Sequence, residues 1–286
     1  MTPDLRPSVD NNVIKVLPDI REVLSVKFHG ESAWAKASRI DIVHEDGSKE
    51  SYFMKSDPDS HFYICKFYDF TEGLPHPSTF CEKLAQLHSS HTSPEGKFGF
   101  HVVTYNGDLP QDTTWSDSWE TFFIRGLQHV VNVRQERAGP CPELDGLLPT
   151  MLEKVIPRLL RPLETGPNRI KPSLVHGDLW CGNAAITDED TEEGIIYDPS
   201  NELGNWRPVR NKFSRKYFNA YHSHFPKAAP EEDYDDRNAL YAMRFNLHAA
   251  ALFPTQQVYL DMAVEEMRRL IDKFPEGYIG EAADQA

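Results

Sequence analysis

The first third of the chain alternates apolar and polar positions as strands do. Between residues 23 and 55, the runs VLSVKF, SRIDIVHE and SYFMK are rich in β-formers, and the polar stretches HGES and EDGSKE separate them. This spacing predicts an antiparallel meander of three strands. The apolar and aromatic run HFYICKFYDF (61–70) predicts one more strand.

The rest of the chain has mainly the periodicity of helices. Apolar side chains recur every three or four positions in residues 77–91, 117–136 and 143–163, the last interrupted at Pro149 and Pro157. Two more stretches with this period follow, DYDDRNALYAMRFNLHAAALFP and QQVYLDMAVEEMRRLIDKF. The pattern therefore predicts a large helical region after the strands.

Two short apolar runs, Ser173–Val175 and Ile195–Tyr197, lie between the helical stretches and predict a pair of adjacent strands. The order of elements predicts an α+β fold with a small antiparallel β lobe and a larger, mainly α-helical lobe. We expect a flexible N-terminal tail at 1–12, the β-rich lobe at 13–75 and the helical lobe at 76–286. A cleft between two lobes is a common ligand site.

Composition limits the classes of partner. The 286 residues are 40% hydrophobic, enough for a sizeable core, and the formal net charge is −14. Such an acidic chain has no overall attraction to nucleic acid or to anionic membranes. The sequence has no run of eighteen apolar residues and no apolar segment in MTPDLRPSVDNN, so we expect neither a membrane span nor a secretory signal. Its four dispersed cysteines predict reduced thiols in a cytoplasmic protein.

The stretch HGDLWCGN (176–183) carries the clearest chemistry. An Asp after an apolar run, with an Asn five residues later, suits phosphoryl transfer: Asp178 would orient a hydroxyl and accept its proton, and Asn183 would hold Mg²⁺ through its amide oxygen. Protein kinases use a comparable H-x-D-x₄-N loop. We expect His176 to bond the backbone as a scaffold residue. The alternative is that Asp178 is a turn residue and Asn183 a helix cap.

A second acid strengthens the kinase interpretation. Asp198 ends the apolar run IIYD, which begins about a dozen residues after Asn183, and kinase-like folds have their second metal-binding acid at such a place. Taken alone, Asp198 before Pro199 would also fit an ordinary turn. The two signals together favour phosphoryl transfer.

The N-terminal third offers candidates for nucleotide binding. Lys55 ends the third predicted strand, where its ammonium group could reach the α- and β-phosphates, although it also fits a solvated lysine at a strand end. Gly30 lies in the turn between the first two strands, which could cover the phosphates. The sequence has no GxxxxGK[ST] element, which argues against a P-loop NTPase.

Other conspicuous groups are expected to be structural. The histidines of HSSH (88–91) and HSH (222–224) have no partner pair at zinc spacing. The acidic run Asp188–Glu193 is typical of a solvated hairpin tip. The aromatic residues between Trp206 and Tyr221 predict core or pocket wall, because an acidic chain is a poor stacking platform for nucleic acid.

Together, LVHGDLWCGN, IIYDP, ELGNWRPVRNKF and the stretch from YFNAYHSHF to RFNLH resemble the fructosamine-kinase family, also called ketosamine-3-kinases, and its fungal members above all. The resemblance covers most of the chain. It implies a protein-kinase-like fold with two lobes, and ATP and Mg²⁺ as cofactors. It also implies phosphorylation of the 3-hydroxyl of a ketosamine, such as fructosamine or ribulosamine, on a glycated amine or protein lysine. The phosphorylated sugar then leaves, which amounts to deglycation.

Carried over by position, the resemblance implies a role for each candidate residue. Asp178 would be the catalytic aspartate. Asn183 and Asp198 would be the metal ligands. Lys55 would be the nucleotide lysine, and the turn at Gly30 would be the phosphate loop.

The chain departs from the family pattern in two places. Relatives usually have a helix after the lysine strand, with a glutamate that pairs with the lysine, and then a further strand. Here the few residues between Lys55 and HFYICKFYDF cannot hold them. After Asp198 the chain reaches Glu202 and Leu203 without the stretch that helps to form the sugar-side wall in relatives.

These departures keep three hypotheses open. The first is an ATP-dependent ketosamine 3-kinase. The second is a pseudokinase or truncated family member that keeps the fold without the transfer. The third is a kinase for another hydroxylated amine, of the aminoglycoside or choline type.

Overall fold

The computed structural model describes residues 10–31, 36–56, 62–71, 73–165, 169–187, 194–196 and 203–280. The chain divides into two compact units, Met1–Phe70 and Thr71–Ala286. Strands dominate the first unit and helices the second. Among the described residues, no helix combines the length and the apolarity that a membrane crossing requires.

The first unit is an antiparallel sheet with one short helix. Its elements are α1 (Asn11–Val16), β1 (Ile20–Glu31), β2 (Lys36–His44), β3 (Lys49–Ser56) and β4 (Phe62–Lys66). The four strands pair in chain order, which confirms the predicted meander and the additional strand.

Helix α1 was not predicted, and it begins inside the segment expected to be a flexible tail. The Asp10 side chain caps it by accepting a hydrogen bond from the Asn12 N–H at 2.7 Å. Val13 and Leu17 are buried against Ile40 and Ile42 of β2. Two apolar contacts and one cap are therefore enough to order a six-residue helix that is too short to be stable alone.

The two faces of the sheet differ in character. Ile40 and Ile42 lie on the apolar face, and Arg39 and Asp41 alternate with them onto the opposite face. At one end of that opposite face, Gly30, Ala37 and Lys55 lie side by side on β1, β2 and β3, because Ala37 pairs with both of the others.

Strands β3 and β4 form a direct hairpin. Ser56 pairs with Phe62, and five residues lie between them in the sequence. Five residues are fewer than two helical turns. The chain therefore has no room at this point for the helix and the further strand that relatives usually carry.

The second unit is mainly helical, and its described part also contains two short antiparallel hairpins and several single 3₁₀ turns. Its regular elements are α2 (Pro77–Ser90), β5 (Tyr105–Asn106), β6 (Leu109–Pro110), α3 (Trp119–Ala138), α4 (Pro142–Thr150), α5 (Ile156–Leu160), β7 (Ala184–Ile186), β8 (Gly194–Ile196), α6 (Arg215–His224), α7 (Tyr234–Leu252) and α8 (Gln257–Lys273). Single 3₁₀ turns lie at Arg161–Glu164, Cys181–Asn183, Leu203–Trp206, Val209–Asn211 and Glu231–Asp233. Ser118 caps α3, accepting a hydrogen bond from the Thr121 N–H.

The predicted interruptions at Pro149 and Pro157 do not break the helical path. A π-helical turn, Met151–Val155, joins α4 directly to α5. Pro157 is the second residue of α5, directly after the π turn, and it has no N–H to donate to the helix. The widened π turn accommodates the chain between the two prolines.

An aromatic core supports the loop that contains Asp178. Phe80 of α2 stacks on Phe213 with ring centroids 5.7 Å apart, and Trp206 stacks on Phe213 at 4.7 Å. Leu179, which follows Asp178 directly, is fully buried in this cluster. The aromatic tract is therefore core, as predicted, and it holds the candidate loop in place through the buried Leu179 side chain.

The hairpin beside this loop differs from the prediction in one strand. Ile195 and Ile196 belong to β8 as expected, but their partner strand is β7, which begins directly after Asn183. Ser173 instead forms an isolated bridge with Thr92. Three-residue apolar runs give no information about which of two nearby segments is the partner.

Candidate active site

The loop from His176 to Asn183 contains two glycines at which a side chain would be unfavourable, for different reasons. Gly177 has a φ of +80°, in the left-handed region. At Gly182 a Cβ atom would collide with the Trp180 ring. The Trp180 N–H donates to the Asp178 carbonyl and the Asn183 N–H to the Trp180 carbonyl, each at 2.9 Å. Two consecutive tight turns therefore bring residue 183 back to residue 178.

The structure brings Asp178 and Asn183 together. The Asn183 Nδ2 donates to the Asp178 carbonyl at 2.9 Å and to the carboxylate oxygen Oδ2 at 3.0 Å. Asn183 is 7% exposed and Asp178 is half-buried. With its nitrogen turned toward Asp178, the Asn183 amide has only its oxygen Oδ1 to offer a cation.

A third side chain, Asn205, hydrogen-bonds the other oxygen of the Asp178 carboxylate. Its Nδ2 donates to the Asp178 Oδ1 at 2.9 Å, and its own Oδ1 accepts from the Asn211 Nδ2 at 3.0 Å. Asn205 and Asn211 are both buried. Each Asp178 oxygen therefore accepts one amide hydrogen from a side chain that packing holds in place.

Sequence reasoning missed Asn205, because it lies 27 residues after Asp178 and outside the two stretches that end in candidate metal ligands, HGDLWCGN and IIYD. The only available signal was an amide inside an otherwise aromatic and basic tract, NWRPVRNKF. His176, by contrast, behaves as predicted. It is buried, and its Nδ1 accepts a hydrogen bond from the Asp178 N–H at 3.3 Å.

The donor set of the loop suits a hard cation. Amide and carboxylate oxygens, as on Asn183 and Asp178, are the ligands that Mg²⁺ prefers, together with water and substrate phosphates. Asp198, the other predicted ligand, lies outside the described residues. Among the described residues, no cluster of three or more His, Cys, Asp or Glu side chains could hold a metal alone. The loop fits a cation bound jointly with a phosphorylated ligand.

Lys55 and Gly30, the predicted nucleotide residues, both belong to the first unit. Lys55 is the penultimate residue of β3, at a strand end as predicted. Gly30 lies within β1, next to an irregularity in the pairing with β2, and not in the turn itself. Its φ of +130° is open to glycine alone. Residues 32–35, which belong to or follow the predicted turn, lie outside the described residues.

The sheet face that carries Lys55 also carries a cation that the sequence did not single out. The Arg39 guanidinium lies 4.4 Å from the centroid of the Phe67 ring and donates to Asp41 at 2.7 Å. Burial raises the pKa of Asp41, but hydrogen bonds from Ser25, Ser51 and Arg39 outweigh it, so the pKa lies well below its usual range. The bond to Asp41 in turn raises the pKa of Arg39.

These groups border an open depression of about 630 Å³ on the first unit. Arg39, Asp41, Ser51 and Phe67 are among its lining residues. A stacked guanidinium, an aromatic ring and fixed charges are together suited to a polar ligand with a planar part.

Comparisons with known proteins agree with the kinase interpretation. The fructosamine kinase family model matches residues 48–273. The chain is 37% identical over 138 residues to mouse ketosamine-3-kinase, a match that covers 46% of this chain and 41% of the mouse protein. It is 28% identical over 202 residues to the chloroplastic protein-ribulosamine 3-kinase of Arabidopsis thaliana, covering 67% and 57%. The chain thus spans about half the length of these curated relatives.

The fold also has a close match among solved structures. An assigned fructosamine-3-kinase from Thermobifida fusca superposes with a TM-score of 0.71 at 20% identity, covering 93% of this chain and all of the other. At that identity the match speaks for the fold, and it confirms the predicted α+β, protein-kinase-like architecture. Because the family model covers well over half of the sequence, the chain belongs to the fructosamine kinase family.

Proposed function

We propose that this protein is an ATP-dependent kinase that phosphorylates the 3-hydroxyl of ketosamines on glycated amines or glycated protein lysines. The observation that carries the proposal is the Asp178 carboxylate, oriented by the buried amides of Asn183 and Asn205. The names of the mouse and Arabidopsis relatives support a ketosamine, and ribulosamine in particular, as the substrate.

In this proposal Asp178 acts on the attacking hydroxyl. Each carboxylate oxygen has two lone pairs, so an oxygen that accepts one amide hydrogen can also accept a hydroxyl. The sugar oxygen bonds to the γ-phosphorus as the bond from that phosphorus to the β–γ bridging oxygen breaks and ADP leaves. The hydroxyl proton passes to Asp178 and then to water. Catalysis is mainly positioning and charge stabilisation.

Asn183 and Asp198 would hold Mg²⁺, which neutralises charge on the phosphates when it is bound. Support for Asp198 comes from the hairpin: Ala184, directly after Asn183, pairs with Ile196, two residues before Asp198 in the sequence. Lys55 would neutralise phosphate charge, and the segment that starts at Gly30 would cover the phosphates. Support for this pair is their common position at one end of the sheet.

The proposal extends to the setting of the reaction. Phosphorylation of the sugar followed by its loss would reverse glycation of cellular proteins. All four cysteines are free thiols, which supports a reducing compartment such as the cytoplasm.

The test is mass-spectrometric detection of phosphate transfer from MgATP to a panel of acceptors. The panel contains a ribulosamine-modified lysine peptide, a fructosamine-modified peptide, choline and an aminoglycoside. We expect phosphate on the ketosugars. Transfer only to choline or the aminoglycoside would replace the proposal with a kinase for another amine. Nucleotide binding without any transfer, in folded protein, would identify a pseudokinase.

A further inference from the structure

One segment next to the candidate site is positively charged, opposite in sign to the molecule as a whole. Residues 203–230 contain six Lys and Arg side chains and no Asp or Glu, in a chain with 44 acids against 30 Lys and Arg. Four of these cations, Arg210, Lys212, Arg215 and Lys216, have exposed side chains close together in the sequence. We call these four residues the basic patch.

Hydrogen bonds and one sulfur contact connect the basic patch to the loop that contains Asp178. The Cys181 Sγ lies 3.9 Å from the backbone carbonyl oxygen of Arg210. Asn211, between two members of the patch, donates to both the backbone and the side-chain oxygen of Asn205, at 2.5 and 3.0 Å. Asn205 in turn bonds Asp178. The patch and the candidate catalytic carboxylate therefore belong to one connected part of the second unit.

Arg210 has partners within the fold, since its guanidinium donates to the buried Asn246 side chain at 3.3 Å and lies 5.4 Å from the centroid of the Tyr259 ring. Folding does not account for the other three charges. Within the described residues, Lys212, Arg215 and Lys216 form no ion pair, whereas their neighbour Arg207 pairs with Asp235 at 2.7 Å. Arg215 and Lys216 occupy the first turn of α6, where the helix dipole disfavours cations, and that turn has no acid.

Lys212 adds a second unfavourable feature. Its φ of +59° is left-handed, a conformation that glycine or asparagine adopts more readily. Next to the patch, the apolar side chain of Val209 is 95% exposed. Exposed cations at positions that weaken the fold, beside an uncovered apolar side chain, indicate a surface kept for a partner.

We propose that the basic patch binds an acidic segment of the glycated protein substrate, so that modified lysines with Asp or Glu nearby are preferred. This inference rests on the proposed function and names a substrate class for the same site. A glycated lysine arrives on a protein surface, and its neighbours must lie against the residues that surround Asp178. Carboxylates complement Arg and Lys by charge, and Arg can bind them through two parallel hydrogen bonds.

A polypeptide fits the whole molecule better than other anions do. The remainder of the chain is strongly acidic, and it repels partners of high charge density such as nucleic acid or an anionic bilayer. A few carboxylates on a peptide are attracted to the basic patch, and their small total charge adds little repulsion from the acidic remainder of the chain.

The first test is binding, because it needs no turnover. Two fluorescent peptides carry one ribulosylated lysine and differ only in that Asp and Glu around it are replaced by Asn and Gln. Fluorescence anisotropy should give a Kd about three- to tenfold lower for the acidic peptide at low salt, as expected from two or three exposed charge pairs. The difference should shrink as ionic strength rises.

Charge reversal of the patch isolates its contribution. The variant Lys212→Glu, Arg215→Glu, Lys216→Glu should lose or invert the preference for the acidic peptide. The matched control is Lys15→Glu, Lys83→Glu, Lys154→Glu, which makes the same change in net charge at exposed positions elsewhere. If the reversed variant does not fold, the corresponding set of Gln substitutions should still abolish the preference.

Three outcomes would overturn the inference. The wild type could bind the two peptides equally, the control variant could lose the preference as fully as the patch variant, or an oligonucleotide of equal charge could bind at least as tightly. Turnover separates this inference from the proposed function. Transfer to both peptides with equal kcat/KM refutes the docking surface alone, and binding of the acidic peptide without any transfer refutes the kinase assignment alone.

Discussion

Replacing Asn205 by Ala removes the donor to one oxygen of the candidate catalytic carboxylate. Asn205 is 7% exposed, and its Nδ2 lies 2.9 Å from the Asp178 Oδ1. A hydrogen bond to a charged group is worth about 1.5–3 kcal/mol. If that interaction orients Asp178 in the transition state, and every 1.4 kcal/mol is tenfold in rate, kcat should fall about 10- to 100-fold.

The effect should appear in kcat and not in substrate affinity. Asn205 bonds the candidate catalytic carboxylate, and the proposed function gives it no part in nucleotide binding, so KM for ATP should change by about twofold or less. The fold should survive, because the Asn211 amide keeps the backbone carbonyl of Asn205 as an acceptor at 2.5 Å. We expect a loss of about 1 kcal/mol in unfolding free energy.

Asn205→Asp separates hydrogen bonding from shape. Aspartate fills the same volume but, when ionised, cannot donate, and it places a like charge beside Asp178. Steady-state kinetics with MgATP and a ribulosamine peptide should therefore rank kcat as wild type, then Ala, then Asp. The control is Asn132→Ala, at an exposed asparagine of α3. An Asp variant as active as the wild type, or an unchanged kcat in Asn205→Ala, would refute the positioning role.

Three further predictions concern the fold. Phe80→Ala, at a side chain 1% exposed in the aromatic core, should lower the unfolding free energy by about 3–5 kcal/mol in urea titrations, and a loss below about 1 kcal/mol would contradict the packing. Hydrogen bonds from the Tyr52 hydroxyl and then Lys66 lower the pKa of Glu50 to about 2 from an ordinary 4.5. The stability that Glu50 contributes is therefore present above pH 4.5 and is lost as the pH falls toward 2. Glu50→Gln should lack this part of the pH dependence of the unfolding free energy, and a variant with the same pH dependence as the wild type would refute the assignment. Burial raises the pKa of the Cys81 thiol to about 12, so thiol reagents should label Cys81 only at the rate of unfolding, and rapid labelling of native protein would contradict its burial.

Much of the architecture was predictable because local patterns decide it. The alternation in VLSVKF, SRIDIVHE and SYFMK gave the correct meander, since a sheet with one buried face requires that period. The helical stretches were predictable because a helix that buries one face repeats its apolar side chains every three or four residues. Helix α1 was missed because one cap and two tertiary contacts order it, and neither contact is visible in the sequence.

In the candidate site too, local features were predictable from the sequence and features that depend on tertiary packing were not. The contact between Asp178 and Asn183 is local, since two tight turns within eight residues bring the two side chains together, and the motif HGDLWCGN singled out both residues. Asn205 reaches Asp178 only because the aromatic core fixes the 3₁₀ turn at Leu203–Trp206 against the loop, which is a property of tertiary packing. Arg39 likewise became conspicuous only when pairing placed it on the face that carries Lys55.

The most direct test of the account is a single-turnover measurement of phosphate transfer from MgATP to a ribulosamine peptide, comparing wild type with Asp178→Asn. The substitution keeps the shape of the side chain but removes the carboxylate that would accept the hydroxyl proton. General-base assistance is commonly worth about 10²–10⁴ in rate. A loss of that size, with folding and ATP binding retained, would support Asp178 as the catalytic group of a ketosamine kinase. Equal rates in the two proteins would contradict that assignment.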